Sequence, residues 1–208
     1  MSGCFVCVVG PSGAGKDTLI GLARRELAGD PGFVFPRRLV TRPGSAFEDH
    51  GTLSETEFEA GLREQRFALA WRAHGLGYAL EGTVGEAAAA GAVVVCNISR
   101  SSIAEARERF AQVRVALVTA PASVLAERVA ARGRETGSAV EGRLARIGLE
   151  AGPPDIIIVN DRPPEIGGER LVAFLRALRE PARAAEVSGG DRFLSPLPQR
   201  EGAADGGG

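Results

Sequence analysis

Between an apolar stretch, Cys4 to Val9, and a helical pattern stand Gly10, Pro11, Ser12, Gly13, Ala14, Gly15, Lys16, Asp17 and Thr18. Residues of these types in this order can build a phosphate cradle. Gly10, Gly13 and Gly15 permit backbone conformations closed to other residues and let the chain approach an anion closely. Successive backbone N–H groups then point inward, and the positive end of the following helix adds its field. Lys16 is spaced to reach the β- and γ-phosphates of a nucleotide. It is the only lysine in the chain, so its place in the loop does not follow from a general abundance of lysine.

The P-loop pattern asks for Ser or Thr directly after the lysine, as a ligand for Mg²⁺. Here Asp17 holds that position and Thr18 follows. A carboxylate is a good hard-oxygen ligand for Mg²⁺, so either Asp17 or Thr18 can take the metal role. Asp17 also suits a plain structural part, an acidic first-turn residue complementing the helix dipole.

Such a loop needs elements to hold it. Four apolar runs, Phe5–Val9, Val93–Ile98, Val113–Thr119 and Ile156–Val159, read as buried strands, with a weaker one at Phe35–Val40. Helical patterns fall between and after them at Thr18–Leu27, Val84–Ala90, Ser101–Phe110, Ser123–Ala131 and Glu169–Leu178. Strands alternating with helices predict an α/β fold, a parallel sheet with helices on both faces. Cys4 and Cys7, three apart on a strand, point to opposite faces and cannot share a metal. Cys96 reads as a third buried strand cysteine.

A chain of 208 residues bounds this to one domain, or one with a small insert. The formal net charge of −1 gives no global basic field for a nucleic-acid partner. No apolar run reaches the roughly eighteen residues of a membrane span, and no secretory leader is apparent, so the expected location is cytoplasmic. Two segments break the alternation. Thr41–Leu80 is long and polar and holds the only Trp and Tyr; it is expected to form a small inserted subdomain over the carboxyl edge of the sheet. Arg132–Glu150 gathers Arg132, Arg134, Arg143 and Arg146 and reads as a lid beside the nucleotide phosphates. From Pro181 the chain is rich in Gly, Pro and Ala, the composition of a disordered tail over 181–208.

The order of P-loop, insert and arginine lid resembles nucleoside monophosphate kinases, guanylate kinase above all, over about residues 3 to 179. Thr41 and Arg42, followed by Glu48 and Gly51, resemble the acceptor-phosphate segment of guanylate kinase. Arg132, Gly133, Arg143 and Leu144 resemble its lid, and Val159, Asn160 and Asp161 the strand end near the adenine. Where guanylate kinases place hydrogen-bonding groups that read guanine, this chain has Arg38, Leu69 and Leu80. Sites built on such groups discriminate through them, so the resemblance weakens where a base would be read. A second phosphate-binding arginine falls at Ser45, and about three residues are missing between Gly51 and Leu53. Arg42 and Tyr78 keep their places, and Arg38 is added.

That pattern resembles a narrower family, ribose 1,5-bisphosphate phosphokinase. The similarity is carried by Gly10 to Asp17; Arg38, Thr41 and Arg42; Glu48 to Phe58; and Leu69 with Trp71. Gly75, Leu76 and Tyr78, then Asn97, Ser99 and Arg100, then Arg132 to Glu135 complete it. The resemblance implies transfer of the γ-phosphoryl group of ATP, with Mg²⁺, to ribose 1,5-bisphosphate. In this family the 1-phosphate is extended, giving 5-phosphoribosyl 1-diphosphate.

The acceptor is already an oxyanion at neutral pH, so no general base is needed and catalysis becomes positioning and charge neutralisation. His50 and His74 are then expected to be exposed loop residues. The resemblance assigns donor phosphates to Lys16 and the loop, and the transferring group to Arg132, Arg134 and Arg143. It assigns the acceptor phosphate to Arg42 and Tyr78, with Glu48 beside them. Arg38 and Arg100 are candidates for the other phosphate, or else form surface ion pairs. Asn97 either orients a metal-bound water or caps a helix; Trp71 either stacks on the sugar or fills the core. The alternatives are an ordinary nucleoside monophosphate kinase and a non-catalytic binding module. Such modules tend to lose the loop glycines and lysine, all of which are present here.

Overall fold

Every position of Cys4–Val9 (β1) is apolar and buried, as expected of a strand covered on both faces. The computed structural model describes residues 3–43, 50–73, 75–131 and 152–179. In it β1 is the middle strand of a five-stranded sheet. The others are Phe33–Val34 (β2), Val93–Asn97 (β7), Val113–Thr119 (β8) and Ile156–Val159 (β9), in the order β2-β7-β1-β8-β9. All four pairings are parallel, which agrees with the alternation of strands and helices.

The two faces of this sheet carry separate cores. On one lie Lys16–Glu26 (α1), Ala122–Ala131 (α5) and Pro164–Arg179 (α6). Their Leu19, Ile20, Leu125, Leu171 and Leu175 pack on Val6, Val8, Val95, Val118 and Ile158. Gly167 and Gly168 bring α6 close to α1, since a Cβ at either would lie 3.1 or 2.9 Å from Leu19 or Leu22. The other face carries Thr83–Ala89 (α3), a 3₁₀ turn at Arg100–Ser102 and Ile103–Arg109 (α4). Phe5 there stacks on Phe110, with ring centroids 4.1 Å apart. Cys4 faces the first core and Cys7 and Cys96 the second, all with free thiols. Burial pushes the Cys4 thiol up to about 11 and the Cys96 thiol to about 12, and raises Cys7 as well, so all three stay protonated.

A second sheet packs on that same face. It comprises Arg38–Val40 (β3), His50–Thr52 (β4), Phe67–Ala73 (β5) and Leu76–Glu81 (β6), in the order β4-β3-β6-β5. The weak run at Phe35–Val40 is therefore not one strand. Phe33–Val34 pairs with β7, and Arg38–Val40 crosses to pair with β4 and β6. Pro36 lies between them and donates no backbone hydrogen bond, which separates the two ladders. His50 corrects a second expectation: it is a buried strand residue, 4% exposed, opposite Arg38. His74 lies outside the described residues. No described helix is long and apolar enough to cross a membrane.

Glu55–Arg63 (α2) covers the outer face of the second sheet, where Phe58 packs on Phe67 and Ala79. Its start is a capping box. Glu57 N–H donates to Ser54 Oγ at 3.1 Å, and Ser54 N–H donates to the Glu57 carboxylate at 2.7 Å. Ser54→Ala is expected to destabilise the fold by about 1 kcal/mol with kcat unchanged, as read by denaturant unfolding and turnover. The Ser54 N–H, then its hydroxyl, holds the Glu57 carboxyl below the usual carboxylate range. That contribution is present above the unfolded-state value and lost as pH falls through the lowered one. The difference between the two proteins should therefore narrow on acidification below about pH 4.

Candidate active site

The loop after β1 adopts the backbone its glycines allow. Gly10, Gly13 and Gly15 have φ of 148, 81 and 86°. A Cβ at Gly10 would lie 1.9 Å from the Val118 carbonyl oxygen, and one at Gly15 2.4 Å from Asn160 Nδ2. Neither position can take a side chain. Lys16 Nζ lies over the loop and donates to the carbonyls of Gly10 and Pro11, each at 2.9 Å. The loop opens at the carboxyl end of β1, between those of β7 and β8, the crevice where open α/β sheets bind ligands.

Two asparagines at strand ends grip the loop from opposite sides. Asn97, the last residue of β7, donates Nδ2–H to Asp17 Oδ1 at 2.8 Å. It is not the cap of the following 3₁₀ turn; Ser99 holds that position, without a side-chain capping bond. Asn160, just after β9 and 4% exposed, donates Nδ2–H to the Ala14 carbonyl at 2.8 Å. Beside it Arg128 donates to the carbonyls of Asn160 at 2.9 Å and Gly13 at 3.5 Å. Gly13, Gly15, Thr18, Arg128, Ala131, Asn160 and Pro164 line an open cleft of about 310 Å³. Sequence reasoning passed over Arg128. Its one signal was a position four before Arg132 at the end of a helical pattern.

Asp17 and Thr18 therefore face different surroundings. Thr18 lines the cleft with Asn160 and Arg128, whereas Asp17 faces Asn97 and the second sheet. From that sheet Arg38 brings Nη2 to 3.5 Å from Asp17 Oδ1. Its guanidinium sits 6.0 Å over the Tyr78 ring, and Tyr78 stacks on Trp71 with centroids 5.4 Å apart and planes 7° apart. Trp71 is 8% exposed and belongs to the core, so of its two readings the buried one is found. Leu69 and Leu80 pack in the same core with no exposure.

Thr41 fixes the turn that carries Arg42. It exchanges bonds with Gly77 of β6, accepting through Oγ1 at 2.8 Å and donating its own N–H at 3.0 Å. Arg42 follows, half-buried, close in sequence to the Val40 that pairs with Tyr78. Arg100 opens the 3₁₀ turn after β7, three residues beyond Asn97. One group of candidates thus gathers around the loop helix: Lys16, Asp17, Asn97, Arg38 and Tyr78. Pro11 and Ser12 complete the loop itself. Glu48, Arg132, Arg134, Arg143 and the rest of the expected lid lie outside the described residues, as does the expected tail.

No protein-family model matches the chain. Ribose 1,5-bisphosphate phosphokinase PhnN of Methylobacterium radiotolerans is 55% identical over 177 residues, 85% of this chain and 99% of that protein. The protein of the same description from Brucella melitensis is 45% identical over 182 residues, 86% of this chain and 93% of that one. Among solved structures, guanylate kinase from Anaplasma phagocytophilum superposes with a TM-score of 0.64 over 87% of this chain and 88% of that one. At 16% identity it is a likeness of fold. With more than half of its aligned residues shared across nearly the whole of a relative, the chain belongs to the ribose 1,5-bisphosphate phosphokinase family.

Proposed function

We propose that this chain transfers the γ-phosphoryl group of ATP to the 1-phosphate of ribose 1,5-bisphosphate, giving 5-phosphoribosyl 1-diphosphate and ADP. The observation that carries the reading is the approach of Arg38 to Asp17. A cation of the second sheet reaches the first turn of the phosphate-loop helix, so donor and acceptor sides share one space. The experiment is coupled ADP release with ribose 1,5-bisphosphate, GMP and AMP offered in turn. Turnover confined to the nucleotides would overturn the reading.

Each residue has a task that follows from its surroundings. The loop N–H groups and Lys16 hold the donor phosphates, Lys16 giving up its two carbonyl partners to do so. Asn160 Oδ1 is buried and makes no hydrogen bond among the described residues. That oxygen lies against α6, 3.4 Å from where a Cβ at Gly167 would stand, so Asn160 serves the cleft by holding the loop through Nδ2. Arg128 holds the loop to the β9 end while facing the same cleft. On the acceptor side Arg42 and Tyr78 hold the phosphate to be extended, with Arg38 and Arg100 for the second dianion. The second sheet is thus the acceptor-binding unit, and Arg132, Arg134 and Arg143 are assigned to neutralising the transferring group. With an oxyanion as nucleophile no proton need move, and alignment and charge supply the rate.

The loop fits Mg²⁺ as well. No group of three or more His, Cys, Asp or Glu gathers among the described residues, and Mg²⁺ commonly takes one or two carboxylates plus substrate phosphates. Asp17 is the residue we assign to it, because its carboxylate faces the space between the two sides while Thr18 lines the cleft beyond. When bound, the ion spreads positive charge over the β- and γ-phosphates. Asp17→Ala is therefore expected to raise the Mg²⁺ concentration for half-maximal activity by about tenfold or more, and Thr18→Ala to leave it nearly unchanged. A titration giving the opposite order reverses the assignment.

A further inference from the structure

Asp17 Oδ1 receives two donors of different character. Asn97 Nδ2 lies at 2.8 Å, a full hydrogen bond. Arg38 Nη2 lies at 3.5 Å, outside the roughly 2.7–2.9 Å of a tight charge-assisted bond. The Arg38 side chain is 17% exposed, and its guanidinium is steadied by the Tyr78 ring at 6.0 Å, whereas Asp17 is 60% exposed. Arg38 thus stands near Asp17 without being tied to it, and Asn97 keeps the carboxylate in place whether or not Arg38 stays.

We propose that Arg38 couples the two substrates: an acceptor phosphate draws the Arg38 guanidinium off Asp17, which frees the carboxylate for the divalent cation that accompanies the nucleotide. The proposal rests on the reading above, which places an acceptor phosphate at Arg38 and the cation at Asp17. A phosphate dianion offers more charge and a better bidentate face to a guanidinium than a carboxylate already bonded to an amide. Until that exchange, the positive charge of Arg38 opposes a cation at Asp17; afterwards the dianion cancels it. Each substrate then tightens the other by the same factor. Arg38 is a positioning residue in this scheme, acting on the donor side through Asp17.

The test is calorimetric binding of a non-hydrolysable ATP analogue with Mg²⁺ to the full chain, with and without saturating ribose 1,5-bisphosphate. In the wild type the acceptor is expected to tighten the analogue by about fivefold or more. In EDTA that gain should vanish, because it runs through the cation. Arg38→Met is expected to abolish the gain and, without acceptor, to bind the Mg²⁺ analogue several-fold more tightly than wild type. A residue that merely supported the fold would weaken that binding. Absence of the wild-type gain, its survival in EDTA, or weaker or unchanged analogue binding by Arg38→Met overturns the coupling. The first two readouts need no variant. Acceptor affinity measured alone separates the two levels. If Arg38→Met binds ribose 1,5-bisphosphate as tightly as wild type, the placement of the acceptor at Arg38 fails; if acceptor binding weakens and the coupling signatures are missing, only the coupling fails.

Discussion

Lys16→Ala should lower kcat/KM by about a hundred- to a thousandfold or more while the protein stays folded. No other lysine exists in the chain to replace the lost charge. Arginines are plentiful, but Arg128 is engaged with the carbonyls of Gly13 and Asn160, and Arg38 belongs to the second sheet and sits over the Tyr78 ring. The substitution also removes the two bonds from Lys16 Nζ to Gly10 and Pro11. The loop should survive that loss, because its shape rests on three positive-φ glycines and on the bond from Asn160 to Ala14. ADP release measures the activity, and circular dichroism with a denaturant midpoint measures the fold. An unchanged kcat in a folded variant removes the phosphate loop from the mechanism.

Acceptor choice carries the second large effect: kcat/KM for ribose 1,5-bisphosphate should exceed that for GMP by about two to four powers of ten. Guanylate kinases read guanine with polar groups at the places held here by Leu69 and Leu80. Both leucines are fully buried beside Trp71 in the core between the two sheets. A base brought there meets two buried aliphatic side chains in place of hydrogen-bonding groups. Each unreplaced hydrogen bond costs about 1–3 kcal/mol, and two of them span roughly the stated range, with neighbouring losses adding imperfectly. On the proposed reading, a bisphosphorylated sugar presents its second dianion to Arg38. The comparison is made at fixed ATP and Mg²⁺. Equal values, or a preference for GMP, would return the chain to the guanylate kinases.

The phosphate loop was legible because its information is local. Glycines at Gly10, Gly13 and Gly15 and a lysine in register state a backbone shape and a charge without reference to distant residues. The buried strands were legible for the same reason, since unbroken apolar runs can only be central strands of a covered sheet or core helices. The start of α6 was less so. The run Ile166, Gly167, Gly168 argues against a helix on propensity, yet the helix begins at Pro164. The two glycines are there because α1 passes too close for side chains. Packing outweighed propensity.

The second sheet shows the limit more sharply. A register shift between Phe67 and Leu69 sends Phe67 to the α2 side and Leu69 to the main core. Plain alternation would have put both on one face. Leu69, Trp71 and Leu80 thereby became filling, where the types alone left Trp71 open to a sugar. By itself the sequence determined that a phosphate loop with a single lysine follows a buried strand and that strands and helices alternate. Only the tertiary structure decided which side of the loop Asp17 and Thr18 face, that Asn97 and Asn160 hold the loop and the helix it leads into, that Arg128 belongs to the cleft, and that Arg38 reaches from the second sheet to the first turn of α1. Those facts depend on contacts between residues far apart in the chain, such as Asp17 with Asn97 and Ala14 with Asn160. Local pattern specifies elements, but long-range pairing sets which side chains meet.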